Sequence, residues 1–302
     1  MSSNHLVGAL RDLIDLGPDA FSGPHTNAFV EAVGRQHPAG TLYKKATAEA
    51  IACTELSGVC PEDVAAEVYA NFIWTHFVCK LLMTAAPMQA ARFAQTHFDM
   101  SEPVSAVEAC GASILSCFHY SGYPLVALGV AVSPLAPLIT KARVDIMEHQ
   151  APDRLGDQVV YLSDRSAGVR LTRALKQGKS VWVMLDVVLP SVRTIKTRLL
   201  GVETSVGAGV GTLALLSGRP CIPLSWELQP GKTKLHTGAP VLTAERSEEA
   251  VIQEFVTSQA AFIAEHPAQW LEWYSVLDEA PRIRAEVKRG NEEVWACLAH
   301  AL

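Results

Sequence analysis

The sequence predicts an α/β fold: a mixed, mostly parallel sheet flanked by helices, with a helical layer on the amino-terminal side. Three observations carry this. Short apolar runs recur at 113–118, 159–162, 180–185 and 221–226. Segments of helix-forming composition separate them, two of which end at glycines, Gly178 and Gly218. The first hundred residues contain helical patterning and no such runs. Strands apolar on both faces need cover on both sides, and strand–helix alternation provides it while keeping neighbouring strands parallel.

Taken in order, residues 1–100 read as helices. Val64 to Leu82 is the longest, apolar at three- and four-residue spacing, with Asp63 placed to cap it. Ser113-Ile-Leu-Ser-Cys-Phe118 then reads as a buried strand, and His119-Tyr-Ser-Gly-Tyr-Pro124 as a turn leading into a helix opened by Pro124. Val159 to Leu162 reads as a strand, and Ala167 to Gln177 as a helix stopped by Gly178. Ser180 to Leu185 is a further strand ending at Asp186, Gly209 to Ser217 a helix stopped by Gly218, and Cys221 to Trp226 a strand. Ser247 and the two glutamates after it start a helix running to Glu265. No linker divides the chain. The expectation is one α/β unit over 1–302, helical over 1–100 and with its core over 101–285.

Composition narrows the function. The chain has 302 residues, 49% of them apolar, and 31 acidic against 25 basic residues give a net charge of −6. A disordered chain and a basic nucleic-acid footprint are both excluded. Seven cysteines without a CxxC pair favour buried free thiols in a reducing cytoplasm over a disulfide framework or a zinc site. The amino terminus lacks a basic region ahead of a long apolar stretch, so no cleaved signal is expected. Ala109 to Thr140 is free of Asp, Glu, Lys and Arg, but it holds His119 and three prolines. A buried strand, turn and short helix account for it better than a lipid-exposed span, with docking on a membrane surface left open.

Several motifs fail. Gly231-Lys-Thr233 lacks the P-loop glycine, since Trp226 stands five positions earlier, and Gly207-Ala-Gly209-Val-Gly211 is one residue short of GxGxxG. Neither a GxSxG elbow nor HExxH is present. What stands out is His119, where a buried strand gives way to a glycine-containing turn. Ligands gather at the carboxyl ends of strands in such folds, and imidazole titrates near neutrality. It suits proton removal from an attacking hydroxyl or amine; a core histidine bonded to backbone is the alternative.

The segment His119-Tyr-Ser-Gly-Tyr-Pro124 resembles the histidine block of the lysophospholipid acyltransferase-like superfamily. It is closest to the late lipid A lauroyl and myristoyl transferases and the phosphatidylinositol mannoside acyltransferases. Further likenesses follow in the family's order over residues 100–285. Val169 to Gly178 resembles the helix before the second core strand, and Ser180 to Asp186 that strand with its terminal aspartate. Thr197-Arg-Leu-Leu-Gly201 resembles a turn ending in glycine, Gly209 to Pro223 the helix and strand that close the site, and His266-Pro-Ala-Gln-Trp-Leu-Glu-Trp273 the tail motif. Tryptophans so spaced also serve to anchor a terminal helix.

The resemblance implies transfer of an acyl group from a thioester to an acceptor hydroxyl or amine. Acyl-CoA or acyl-carrier protein would be the donor, with no permanently bound cofactor and no metal. His119 would be the base, and Tyr123, Arg170, Glu203 and Gly201 would contact substrate, with the oxyanion met by backbone N–H groups or by Arg170, which reads equally as a surface arginine. Two departures stand out. Pro124 occupies the place of the family's acid, so His119 must find another partner or work alone; Asp186 is the first candidate partner, with Glu203 and Glu108 behind it. The amino-terminal membrane anchor of the lipid A enzymes has no counterpart, which suggests a cytoplasmic protein with a small-molecule or peripherally presented lipid acceptor. A weakened base favours an already nucleophilic amine, as in natural-product tailoring. The apolar segments 125–139 and 199–216 fit an acyl tunnel or plain core packing. The competing readings are a non-catalytic acyl-binding relative, which Pro124 favours, and a thioester hydrolase.

Overall fold

The computed structural model describes residues 40–84, 96–141, 158–186, 188, 192–228 and 233–299. The amino-terminal part contains α1 (Gly40–Ala52), α2 (Pro61–Thr84), a two-residue strand β1 (Phe98–Asp99) and α3 (Ser101–Cys110). There follow β2 (Ile114–Cys117), α4 (Tyr123–Val132), β3 (Leu138–Lys141), β4 (Val159–Tyr161), α5 (Ala167–Lys176) and β5 (Val181–Met184). The remainder is β6 (Thr194–Leu199), β7 (Val202–Gly207), α6 (Gly209–Ser217), β8 (Cys221–Ser225), β9 (Thr233–Lys234), β10 (His236–Thr237), α7 (Glu248–Glu265) and α8 (Ala280–Ala299). Two 3₁₀ turns, Pro267–Gln269 and Trp273–Val276, lie between the last two helices.

Six strands form the central sheet in the order β10-β8-β2-β5-β3-β4, parallel throughout except for the antiparallel edge strand β10. The α/β expectation holds. β2 sits inside, between β5 and β8, and every one of its residues is buried, as its unbroken apolar run requires. One apolar cluster extends from Tyr43 in α1 to Val287 in α8 and includes Trp182, Trp226, Trp270 and Trp273. The uncharged stretch from Ala109 resolves into the end of α3, β2, the histidine turn, α4 and β3. Among the described residues no helix is long and apolar enough to cross a membrane.

Several local expectations are corrected. α2 begins at Pro61, so Asp63 lies inside the first turn rather than capping it; proline is suited to that first position because its missing N–H would be unbonded there anyway. Thr197 to Gly201 is not a free turn but the end of a hairpin. β6 alternates exposed and buried residues, and Leu199 pairs with Val202, leaving a two-residue loop of Leu200 and Gly201, both at positive φ. Of the five described cysteines only Cys117 and Cys221 are buried; Cys53 and Cys60 are exposed. The helices expected in 1–39 and 85–95 lie outside the described residues, as do the side chains of Cys79 and Cys297.

The turn after β2 is held from the helical layer. Gly122 adopts φ 71° and ψ 12°, and its N–H donates to Thr75 Oγ1 of α2 at 2.8 Å. A Cβ there would stand 3.2 Å from Leu228 and 3.3 Å from Trp74. Gly122→Ala is expected to lower the unfolding free energy by about 1–2 kcal/mol, the left-handed penalty of a side chain. The readout is a lower urea midpoint at unchanged slope.

Candidate active site

The site follows from strand register. β2 and β5 are parallel, with Cys117 opposite Met184. Two residues further on, the same offset sets His119 opposite Asp186, just past the carboxyl ends of both strands. The contact is made there: His119 Nδ1 lies 2.6 Å from Asp186 Oδ1, and the His119 backbone N–H donates to Oδ2 at 2.8 Å. Trp270 Nε1–H donates to the same Oδ2 at 2.8 Å. Asp186 is buried, and a buried carboxylate persists in its charged form only when donors surround it, as these three do.

Every neighbour of His119 is anchored. The Phe118 N–H and the Tyr120 hydroxyl both donate to Gln259 Oε1 of α7, at 3.3 and 2.8 Å. The Leu271 N–H donates to the His119 carbonyl at 3.0 Å, and the Ser121 N–H to the Gln269 carbonyl at 2.8 Å. Trp226 Nε1–H donates to the Ser121 carbonyl at 2.8 Å. The tail motif therefore lies along the histidine turn like an added strand, bridged at Tyr120 and Trp270. Tyr123, at the start of α4, places its ring edge-on to the imidazole with centroids 4.8 Å apart. The His119 side chain keeps 15% exposure, so the ring is not sealed in the core, and Nε2 makes no hydrogen bond among the described residues.

Electrostatics follow from this cage. Burial disfavours the imidazolium, but the charge and hydrogen bond of Asp186 outweigh it, with Glu272 adding and Arg284 opposing, and the His119 pKa is raised above 6.5. Burial pushes the Asp186 carboxyl up, yet the facing imidazole and the N–H donors hold it below its ordinary value. Among the described residues no three His, Cys, Asp or Glu side chains gather to hold a metal ion.

The other sequence candidates lie elsewhere. Glu203 is on the outer face of the β6–β7 hairpin, 70% exposed, with Lys196 Nζ 2.7 Å away. Strand alternation put it there, and it has no contact with the dyad. Gly201 has a backbone reason to be glycine: φ is 83°, and a Cβ would run into the Glu55 side chain. Arg170 is exposed on α5. Glu108 is on α3, at its solvent-facing side. In 125–139 and 199–216, Leu125, Val126, Val130, Val206, Val210 and Leu213 pack into the core. Sequence reasoning missed Trp270 as a donor to Asp186, and it missed Gln259, Glu272 and Arg284 entirely. The sequence signal for the His119–Asp186 contact was the position of both residues just past an apolar strand run, which made Asp186 the first candidate partner.

Residues 114–274, more than half of the chain, match the family model for bacterial lipid A biosynthesis acyltransferases. That span encloses His119, Asp186 and Trp270. No curated protein matches the chain. Among solved structures, the 1-acyl-sn-glycerophosphate (LPA) acyltransferase PlsC from Thermotoga maritima is similar at 14% identity and a TM-score of 0.40, covering 76% of this chain and 97% of that one.

The raised His119 stabilises the fold below its unfolded pKa of about 6.5, and the lowered Asp186 above its unfolded value of about 3.8. The stability lost in Asp186→Asn is therefore expected to be largest between those two pH values. It shrinks above 6.5 as the folded-state imidazole loses its proton. Urea titrations of both proteins across pH 4–8 provide the check.

Proposed function

The chain belongs to the bacterial lipid A biosynthesis acyltransferase family, and from that premise we propose that it transfers an acyl group from a thioester to an acceptor with His119 as general base. The donor is acyl-CoA or an acyl-carrier protein, and the acceptor presents a hydroxyl or an amine. The single observation that carries the reading is the 2.6 Å contact of His119 with Asp186 at the mouth of the parallel strands.

Asp186 accepts from Nδ1–H, which leaves Nε2 as the basic nitrogen of the neutral ring. In the proposed step Nε2 takes the acceptor's proton as its oxygen or nitrogen attacks the thioester carbonyl. The imidazolium so formed is held by Asp186, which stays ionised. Collapse of the tetrahedral adduct breaks the C–S bond, and the imidazolium returns its proton to the leaving thiolate. Asp186 thus supplies from a neighbouring strand what Pro124 cannot supply from α4. The first-turn N–H groups of α4 do not serve as oxyanion donors in this arrangement, because Tyr123, Leu125 and Val126 donate to Tyr120 and Gly122 carbonyls and Pro124 has no N–H.

This arrangement also bears on the acceptor. An acid-less histidine argued for an amine, but a histidine paired with a carboxylate is basic enough for a hydroxyl too. Small-molecule tailoring and lipid acylation are the two settings an acceptor panel separates. The non-catalytic reading rested on Pro124, and a carboxylate at Nδ1 takes away that ground.

The test is turnover of acyl-CoA and acyl-carrier-protein thioesters with a panel of amines and hydroxyls, and with water alone to register hydrolysis. His119→Ala is expected to lower kcat by about 10²–10⁴-fold, the usual worth of a positioned base. An unchanged rate refutes the base role. The wild-type kcat/KM should fall as pH drops, with its inflection above 6.5, because only the neutral ring accepts a proton and its pKa is raised. Asp186→Asn is expected to move that inflection down, since burial still disfavours the imidazolium and the carboxylate no longer opposes it.

A further inference from the structure

A second charged pair closes around the dyad. Glu272 directly follows Leu271, whose N–H holds the His119 carbonyl. Arg284 of α8 donates from Nη2 to Glu272 Oε2 at 2.9 Å and from Nη1 to the Val188 carbonyl at 3.4 Å. Val188 is two residues beyond Asp186. One guanidinium therefore links the chain just past the acid to the chain just past the histidine's backbone partner. Glu272 is 13% and Arg284 27% exposed. The guanidinium also stands 5.7 Å over the Tyr274 ring, and its buried Nε has no hydrogen-bond partner among the described residues.

As a structural tie this is a poor one. Desolvation of two partly buried charges offsets much of their attraction, and apolar side chains of equal volume commonly serve as well. An unmet buried donor adds to the cost. Their value lies in where the chain sets them. Glu272 follows the residue that bonds the His119 carbonyl, and Arg284 bonds the carbonyl two residues past Asp186, so both charges adjoin the dyad in a partly buried site where screening by water is reduced. We infer that Glu272 and Arg284 are a positioning pair that tunes the charge of His119 with opposite signs, the carboxylate favouring the imidazolium and the guanidinium the neutral base.

Cys117 and Tyr120 stand on the same strand and turn as His119, and Tyr274 on the tail. The imidazole itself is met by Tyr123 of α4 and Asp186 after β5, and Glu272 of the tail and Arg284 of α8 are the further charges acting on it. Burial pushes the Cys117, Tyr120 and Tyr274 hydrogens on more tightly, so these groups stay neutral. Asp186, Glu272 and Arg284 remain as the charges, and Glu272 raises while Arg284 lowers the His119 pKa.

The consequence for rate rests on His119 being the base; the electrostatic coupling does not. The experiment follows the His119 ring by NMR in histidine-labelled full-length protein, its signal assigned by loss in His119→Ala, beside the pH dependence of kcat/KM. Glu272→Gln is expected to move the titration to lower pH and Arg284→Gln to higher pH, with the double variant returning towards wild type. The acid limb of kcat/KM should move in the same directions. Shifts of the same sign in both single variants, or none, overturn the inference. Arg284→Lys keeps the charge and loses the fork, so its titration should stay near wild type. If Arg284→Gln does not fold, Glu272→Gln and Arg284→Lys decide alone, and a wild-type titration in the first or a displaced one in the second overturns the pair. Opposite shifts together with full turnover in His119→Ala would remove the base reading and leave the coupling standing.

Discussion

The site is organised around one buried negative charge. Asp186 has almost no contact with water, so the fold must gather donors around it, and it gathers three from two places: the side chain and backbone N–H of His119 and an indole of the tail. Strand register brings residues 119 and 186 level and backbone bonds carry Trp270 to them, and the buried charge is what their meeting satisfies. The ends of two strands and the tail are thereby fixed relative to one another, and the imidazole can turn its second nitrogen outward.

An acid on a neighbouring strand differs physically from one a few residues along the same helix. Parallel pairing fixes the ends of β2 and β5 by backbone hydrogen bonds, so the dyad inherits the precision of the sheet. The turn in between is freed from carrying a carboxylate, and proline becomes acceptable at position 124. The cost falls on packing: the turn must be held by Thr75, Gln259 and the tail backbone, which is why the helical layer and α7 press on it.

The amount legible in the sequence varied with the range of the interaction. Unbroken apolar runs located β2, β5 and β8 to within a residue, because burial on both faces leaves a purely local mark. Gly178 and Gly218 marked helix ends for the same reason: a positive φ is a property of one residue. The β6–β7 hairpin escaped notice although its alternation is plain, since a period of two over six residues competes with the charges that alternate with it. β3 was lost inside the uncharged stretch, where strand and buried helix look alike. Glu203 and Gly201 drew attention as site residues through likeness to a family turn, but solvent and a tight two-residue loop explain them.

The sequence by itself determined which residues are strand ends, and so that a histidine and an aspartate both stand just past an apolar run. Local composition is sufficient for that. That they face each other across 2.6 Å was decided by tertiary structure alone, through strand order and register, which depend on pairings 67 residues apart. The same holds for Trp270, Gln259, Glu272 and Arg284. Trp270 stands in a motif the sequence marks and the other three do not stand out in their own stretches of chain, but each acquires its role only because folding brings distant segments towards one buried carboxylate.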